Sequence, residues 1–224
     1  MGIEYLSAYL KAHGHETSLV FDPAHFRGLR GRDISFLSNF FDPPRETVIE
    51  AIMRSNPDVL ACSCVTGNYR WALDLAEEIK RKSKKPLAVL FGGPHPSMVP
   101  ERVISQPVVD ALVVGEGEDA ILELVNSLKD GKFTDTEVAN AWIKSDGVIH
   151  RNPVRPYIRD LDSLPFPDKE LFYREVPFLR RGYLLMTARG CPYNCTYCCN
   201  RTYHKIYNDE KGHIRRFSVA RVFT

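Results

Sequence analysis

The feature that most constrains how this chain can fold is an alternation of two hydrophobic periods. Short apolar runs at 59–62, 87–91 and 111–114 are bounded by turn residues and are too short for helices, so they read as buried strands. Between them lie stretches whose apolar residues recur every three or four positions. Ile3, Leu6 and Leu10 mark a helix over 2–13, and Val48, Ile49, Ile52 and Met53 mark one over 45–54. Trp71, Leu75 and Ile79 mark a third over 69–81, with a short helix near 100–105 and another over 119–129. Gly14 reads as the C-terminal cap of the first helix, Asn56-Pro57 stops the second, and a Pro-punctuated loop precedes it. A further strand is expected over 17–21. Strands alternating with helices imply parallel pairing with helices on both faces. The expected fold class is α/β, a Rossmann- or flavodoxin-like doubly wound parallel sheet.

Such a sheet normally opens on a strand, whereas this sequence opens on a helix. The expectation is a piece of a longer protein whose first strand is missing. Ser218, placed as an N-cap for a helix over the last residues, agrees with that. With 224 residues, 44% of them hydrophobic, the chain can bury one sizeable core and part of a second. A net charge of +2 gives no global case for nucleic acid or a membrane surface. No apolar run approaches the roughly 20 residues that span a bilayer. The C-terminal stretch is locally basic, with Arg174, Arg180, Arg181, Arg189, Arg201, Lys205, Arg215, Arg216 and Arg221, and reads first as a solvated face, with an anionic substrate or cofactor phosphate as the alternative.

Three loops beyond strand ends stand out. They are Ser63-Cys64-Val65-Thr66-Gly67-Asn68, Gly92-Gly93-Pro94-His95-Pro96 and Gly115-Glu116-Gly117-Glu118. Each glycine alone is also how any α/β loop turns. All three loops fall on one edge of the sheet, however, where ligands of wound folds bind, so together they are expected to line one crevice.

Near the other end stands Cys191-Pro-Tyr-Asn-Cys195-Thr-Tyr-Cys198, after an apolar run at 183–188 that reads as a short buried strand and an Arg189-Gly190 turn. Three thiolates at this spacing can hold three irons of a [4Fe–4S] cluster and leave the fourth iron open to a ligand that is not protein. A disulfide framework is disfavoured, because the six cysteines are clustered and no secretory signal is present. Zinc is the competing reading, with Cys199 or His204 as a formal fourth ligand. The position beyond a strand's C-terminal end favours iron–sulfur. Cys199 itself reads as a buried small residue or a spare thiol.

The cysteine segment resembles the opening of a radical SAM domain, whose C-x3-C-x-Φ-C motif has an aromatic Φ, here Tyr197. The resemblance implies that Cys191, Cys195 and Cys198 ligate the cluster, that Tyr197 packs near the adenine of S-adenosylmethionine (SAM), and that the open iron chelates SAM for reductive C–S cleavage. It implies only the start of a partial TIM barrel in this chain. The region from Gly2 to about Lys129 is similar to the cobalamin-binding domain that precedes many radical SAM domains. That likeness rests on 5–10 (YLSAYL), 56–59 (NPDV), 92–96 (GGPHP) and 113–118 (VVGEGE). It implies cobalamin contacts from Ser63, Val65, Thr66, Gly67, Gly92, Gly93, Pro94, His95, Gly115, Glu116, Gly117 and Glu118. The family's D-x-H-x-x-G segment, which supplies a histidine to cobalt, would precede this chain, so the axial ligand stays open; His95 reads as a hydrogen-bonding residue.

The expected domains are a cobalamin-binding-like unit over 1–132, a linker with a β-hairpin over 133–178 turning at Asp146-Gly147, and the N-terminal part of a radical SAM domain over 179–224. The favoured function is a cytoplasmic methyltransferase acting on an unactivated centre, with a small-molecule substrate and a reducing donor such as ferredoxin or flavodoxin. A radical cyclase or rearrangement enzyme of the same family, or a non-catalytic corrinoid-binding module, is the alternative. A methylthiotransferase would bring a second three-cysteine cluster, which Cys62 and Cys64 do not make.

Overall fold

The computed structural model describes residues 2–21, 45–209 and 214–223. The Pro-punctuated loop expected before residue 45 lies outside them. Three parallel strands, β1 (Val59–Ser63), β2 (Ala88–Gly92) and β3 (Ala111–Val113), form one side of a five-stranded sheet. Its order continues from β3 to β6 (Ala141–Ser145) and β7 (Val148–Arg151), both antiparallel to their neighbours. A small ribbon, β4 (Leu128–Lys129) and β5 (Lys132–Phe133), stands between β3 and β6 in the chain. The sheet is therefore mixed. The hairpin read as part of the connector is its far edge, and Asp146 and Gly147 both take positive φ at its turn, as a two-residue hairpin loop demands.

Alternation along the strands divides the core into two layers. Ala88, Leu90, Ala111 and Val113 face α1 (Gly2–Ala12) and α6 (Glu118–Asn126), where Leu10, Ala120 and Leu124 meet them. Val89, Phe91, Leu112 and Val114 face the opposite way onto Ala72, Leu73 and Ala76 of α3 (Thr66–Lys82) and Val103 and Ile104 of α5 (Pro100–Ile104). Strands buried on both faces are the continuous apolar runs of the sequence. The second helix, α2 (Arg45–Ser55), packs Val48, Ile49 and Ile52 on Leu75 and Ile79 of α3. Gly14, with φ of +85°, closes α1 as expected, and Asn56 ends α2 at φ of 48°.

Two expected strands differ. Residues 17–21 form no strand and make no ladder with any described residue. Their apolar signal comes from packing, since Val20 joins the α2–α3 cluster. The run at 183–188 is also not a buried strand: Tyr183 and Leu184 are 63% and 70% exposed, and only β8 (Ala188–Arg189) pairs, with β9 (Arg215–Arg216). Apolar composition makes a buried strand only where other elements cover both faces, and here only Met186 packs into a cluster, with Tyr5, Leu161, Leu164 and Phe217.

The connector wraps α1. Through α7 (Lys169–Glu175), Lys169 pairs with Glu4 at 2.8 Å, both side chains almost wholly buried, and Asp168 receives Lys11 and Ser7 at 2.6 Å each.

Candidate functional site

The three glycine-bearing loops form one continuous rim at the C-terminal edge of the parallel strands. Cys64 N–H donates to the Gly92 carbonyl at 2.8 Å and His95 N–H to the Cys64 carbonyl at 2.9 Å, which ties the first loop to the second. The Ser97 hydroxyl donates to the Gly93 carbonyl at 2.9 Å and accepts from Gly115 N–H at 3.0 Å, which ties the second to the third. The residues expected to share a crevice are thus brought together. They are less loop-like than expected, because three helices begin inside them. Thr66 and Gly67 lie in the first turn of α3, Pro94 and His95 in a short α4 (Pro94–Met98), and Glu118 opens α6. Proline at the first helical position is well placed, since its missing N–H would be unpaired there anyway.

The glycines serve two different ends. At Gly93, with φ of +97°, a Cβ would sit 3.0 Å from the backbone N and O of Cys64, so this glycine permits the close approach of the loops. At Gly115, with φ of +84°, a Cβ would collide with the Tyr207 hydroxyl. At Gly67 and Gly92, in contrast, a Cβ would meet nothing within 4 Å. Beside them Val65 is 53% exposed. The open part of the crevice therefore lies over the first two loops, and the third is covered by protein.

His95 is turned inward. Its Nδ1 lies 3.1 Å from the Thr66 hydroxyl, its ring packs at a tilt on Tyr69 with centroids 4.2 Å apart, and its Nε2 is buried with no hydrogen-bond partner among the described residues. Burial, helped by Arg102, lowers its pKa from the ordinary value, so the ring is held neutral. Burial also pushes the Cys64 thiol up to about 12 and the Cys62 thiol higher still. Both are structural thiols.

The cover over the third loop comes from residues around the cysteine segment, and it corrects the reading of a solvated basic face. Arg189 and Arg215 have side chains only 12% and 11% exposed. Arg189 reaches Glu116 at 3.2 Å and Glu118 at 2.6 Å, and Arg215 reaches Glu116 at 2.8 Å and the Ile158 carbonyl at 2.7 Å. Burial opposes the Arg189 charge, but Glu118 and then Glu116 outweigh it and raise the pKa further. Tyr207 stacks on Tyr157 at 3.7 Å and accepts Glu116 N–H at 2.6 Å. Asn140, fully buried at φ of 70°, donates to the Val114 carbonyl at 2.8 Å and accepts Arg155 N–H at 3.1 Å. Sequence reading missed Tyr157, Tyr207 and Asn140. The only signal was Asn in a turn between strands; tyrosines this far from the glycines carry none.

The cysteine segment follows Gly190, which turns the chain at φ of +96°. Cys191, Cys195 and Cys198 are partly exposed free thiols, and Cys198 N–H donates to the Cys195 carbonyl at 3.1 Å. Asn194 and His204 fasten the loop to α8 (Asn200–Ile206) through a 3.2 Å contact of Oδ1 with Nδ1. His204 is buried, and its Nδ1 is engaged in that contact. Cys199 is exposed, so of its two readings only the spare thiol stands. Tyr197 is 92% exposed. Among the described residues no three His, Cys, Asp or Glu side chains converge on a metal position. The three loop thiols suit an iron–sulfur cluster by type, number and access, with side chains that must turn toward one another to ligate it.

A wound sheet with a partly open crevice at its C-terminal edge defines a ligand-binding α/β domain. The model of the B12 binding domain matches residues 1–125, and the chain belongs to that family. It is 29% identical over 213 residues to the anaerobic magnesium-protoporphyrin IX monomethyl ester cyclase of Rubrivivax gelatinosus, covering 92% of this chain and 35% of that protein. It is 31% identical over 169 residues to the cobalamin-dependent radical SAM methyltransferase TokK of Streptomyces tokunonensis, covering 71% of this chain and 24% of that protein. The fold matches the cobalamin-dependent S-adenosylmethionine radical enzyme OxsB, solved with aqua-cobalamin and S-adenosylmethionine bound, with a TM-score of 0.68 at 22% identity over 98% of this chain and 27% of that one. The chain spans about a third or less of the length of these proteins.

Proposed function

We propose that this chain carries the corrinoid-binding domain and the cluster loop of a cobalamin-dependent radical SAM methyltransferase acting on an unactivated centre. The observation that carries the reading is the coexistence, in one chain, of a B12-family domain and a C-x3-C-x2-C loop anchored through Arg189 to the rim of that domain. Open space over Gly67 and Gly92 suits the tail of a corrinoid, with Ser63, Val65, Thr66 and His95 of the same two loops as its proposed contacts. Cys191, Cys195 and Cys198 would hold a [4Fe–4S] cluster, and Tyr197 would lie along the adenine of SAM. When bound, the cluster supplies the electron that cleaves SAM and the corrinoid supplies methyl transfer. The chain's own residues orient these groups, and its rim keeps His95 neutral. A small-molecule substrate, a ferredoxin or flavodoxin donor and an oxygen-poor cytoplasm complete the proposal. No described helix is long and apolar enough to cross a membrane.

One observation favours a second reading, a radical cyclase: the cyclase relative aligns with 92% of the chain. Product analysis separates the two. Full-length protein reconstituted without oxygen and given SAM, a reductant and a pool of candidate acceptors should release 5′-deoxyadenosine. S-adenosylhomocysteine beside it marks methyl donation, and its absence favours the cyclase. Cys191→Ala, Cys195→Ala and Cys198→Ala should each fall to background, with Cys199→Ala at the wild-type level. Full SAM cleavage in any of the first three would contradict the cluster assignment.

A further inference from the structure

The four charges at the third loop have an arrangement that simple stabilisation does not require. Glu116 and Glu118 project from the rim of the crevice, and Arg189 sits two positions before Cys191 on the strand that delivers the cluster loop. Two guanidiniums and two carboxylates cancel, and all four side chains are at most 16% exposed. The hydrogen bonds fix direction as well as proximity. Glu116 accepts from Arg189, Arg215 and the Ile158 backbone N–H, the last at 2.9 Å, while Glu118 holds the other arm of Arg189. Aromatic rings support both guanidiniums, Tyr5 at 5.1 Å from Arg189 and Tyr157 at 4.2 Å from Arg215. Apolar contact would tolerate sliding between the two loops, whereas forked, charge-assisted bonds at both ends of one arginine do not. Buried ion networks are weak stabilisers, and their best-attested use is to fix register.

We infer that Arg189, Glu116, Glu118 and Arg215 form a positioning clamp that sets the cluster loop against the crevice rim, so that the spacing of the two cofactor sites is held by this chain's own ion pairs. The inference rests on the function proposed above. In this role the four residues act by position, through Cys191 on one side and Gly115 on the other.

The test uses the full-length protein, purified without oxygen, and Glu118→Gln, which removes one charge without changing shape. Hydrogen exchange of the backbone amides of 190–199 should speed up about tenfold or more in the variant, while 88–91 and 111–113 stay as in the wild type. Glu101→Gln, which breaks an exposed pair with Arg151, should change neither region. In protein that carries both metals, the magnetic coupling between Co(II) and the reduced cluster should shift in Glu118→Gln. Unchanged exchange at 190–199, or a rise shared equally by the sheet, would overturn the clamp. If Glu118→Gln does not fold, Arg189→Lys, which keeps the charge and loses the fork, is read by the same two outcomes. Wild-type protein lacking cobalt or iron would sink the proposed function, and the exchange arm would still judge the clamp.

Discussion

The centre of the sheet and the cysteine loop are held by different physics. In β2 and β3 the side chains from Ala88 to Phe91 and from Ala111 to Val113 are at most 5% exposed, each locked between helices on both faces. Around the cysteines, Tyr193 is 69% exposed and Tyr197 92%, and what fixes the loop is directional: the Arg189 and Arg215 ion pairs, the Asn194–His204 contact and the Gly190 turn. Burial gives a rigid frame that needs no ligand. A few oriented bonds place a loop while leaving its thiols and aromatic ring accessible, which is what a cofactor site requires.

The contrast yields graded expectations. Phe91→Ala removes a fully buried ring between β2 and α3 and should cost about 3–5 kcal/mol, read as a fall in Tm. Arg189→Ala leaves two buried carboxylates short of a partner and should cost a similar or slightly smaller amount, about 3 kcal/mol. Arg151→Ala, which breaks an exposed pair, should hardly move Tm. Equal effects of the two arginine variants would erase the distinction between clamp and surface. Gly92→Leu should fold and retain iron but lose most of its cobalt, because its side chain enters open space, whereas Gly115→Leu should unfold the third loop by striking Tyr207. Cobalt loading unchanged in Gly92→Leu would move the ligand elsewhere. The smallest effect is the pH dependence of His95. Its folded pKa lies below the unfolded value, so its contribution is complete above about 6.5 and declines as pH falls toward the folded pKa. An NMR titration of the ring with a midpoint at or above 6.5 would contradict the inward packing.

Legibility in the sequence followed the same divide. The strands at 59–63, 88–92 and 111–113 and their helices were readable because two-sided burial writes itself as apolar runs and helical periods. The Asp146-Gly147 hairpin was readable from turn chemistry, though its place as the sheet's far edge was not, since pairing with β3 is a long-range fact. Residues 183–188 misled because their composition matches a core strand while Tyr183, Leu184 and Leu185 stay exposed and only Met186 packs into a cluster. At the site, the loops and cysteines were legible as motifs. The division of the glycines was not: Gly93 and Gly115 make room for protein, and Gly67 and Gly92 leave it open. Arg189 and Arg215 looked like two more basic residues in a charged stretch, because only the fold brings Glu116 and Glu118 to them.

The most direct test of the central claim is the cobalt and iron content, with a visible spectrum, of the full-length protein purified without oxygen from corrinoid-supplied cells. The account predicts about one cobalt and about four irons per chain, as a corrinoid and a [4Fe–4S] cluster require. Iron without cobalt would contradict the corrinoid crevice, and cobalt without iron would contradict the cluster loop.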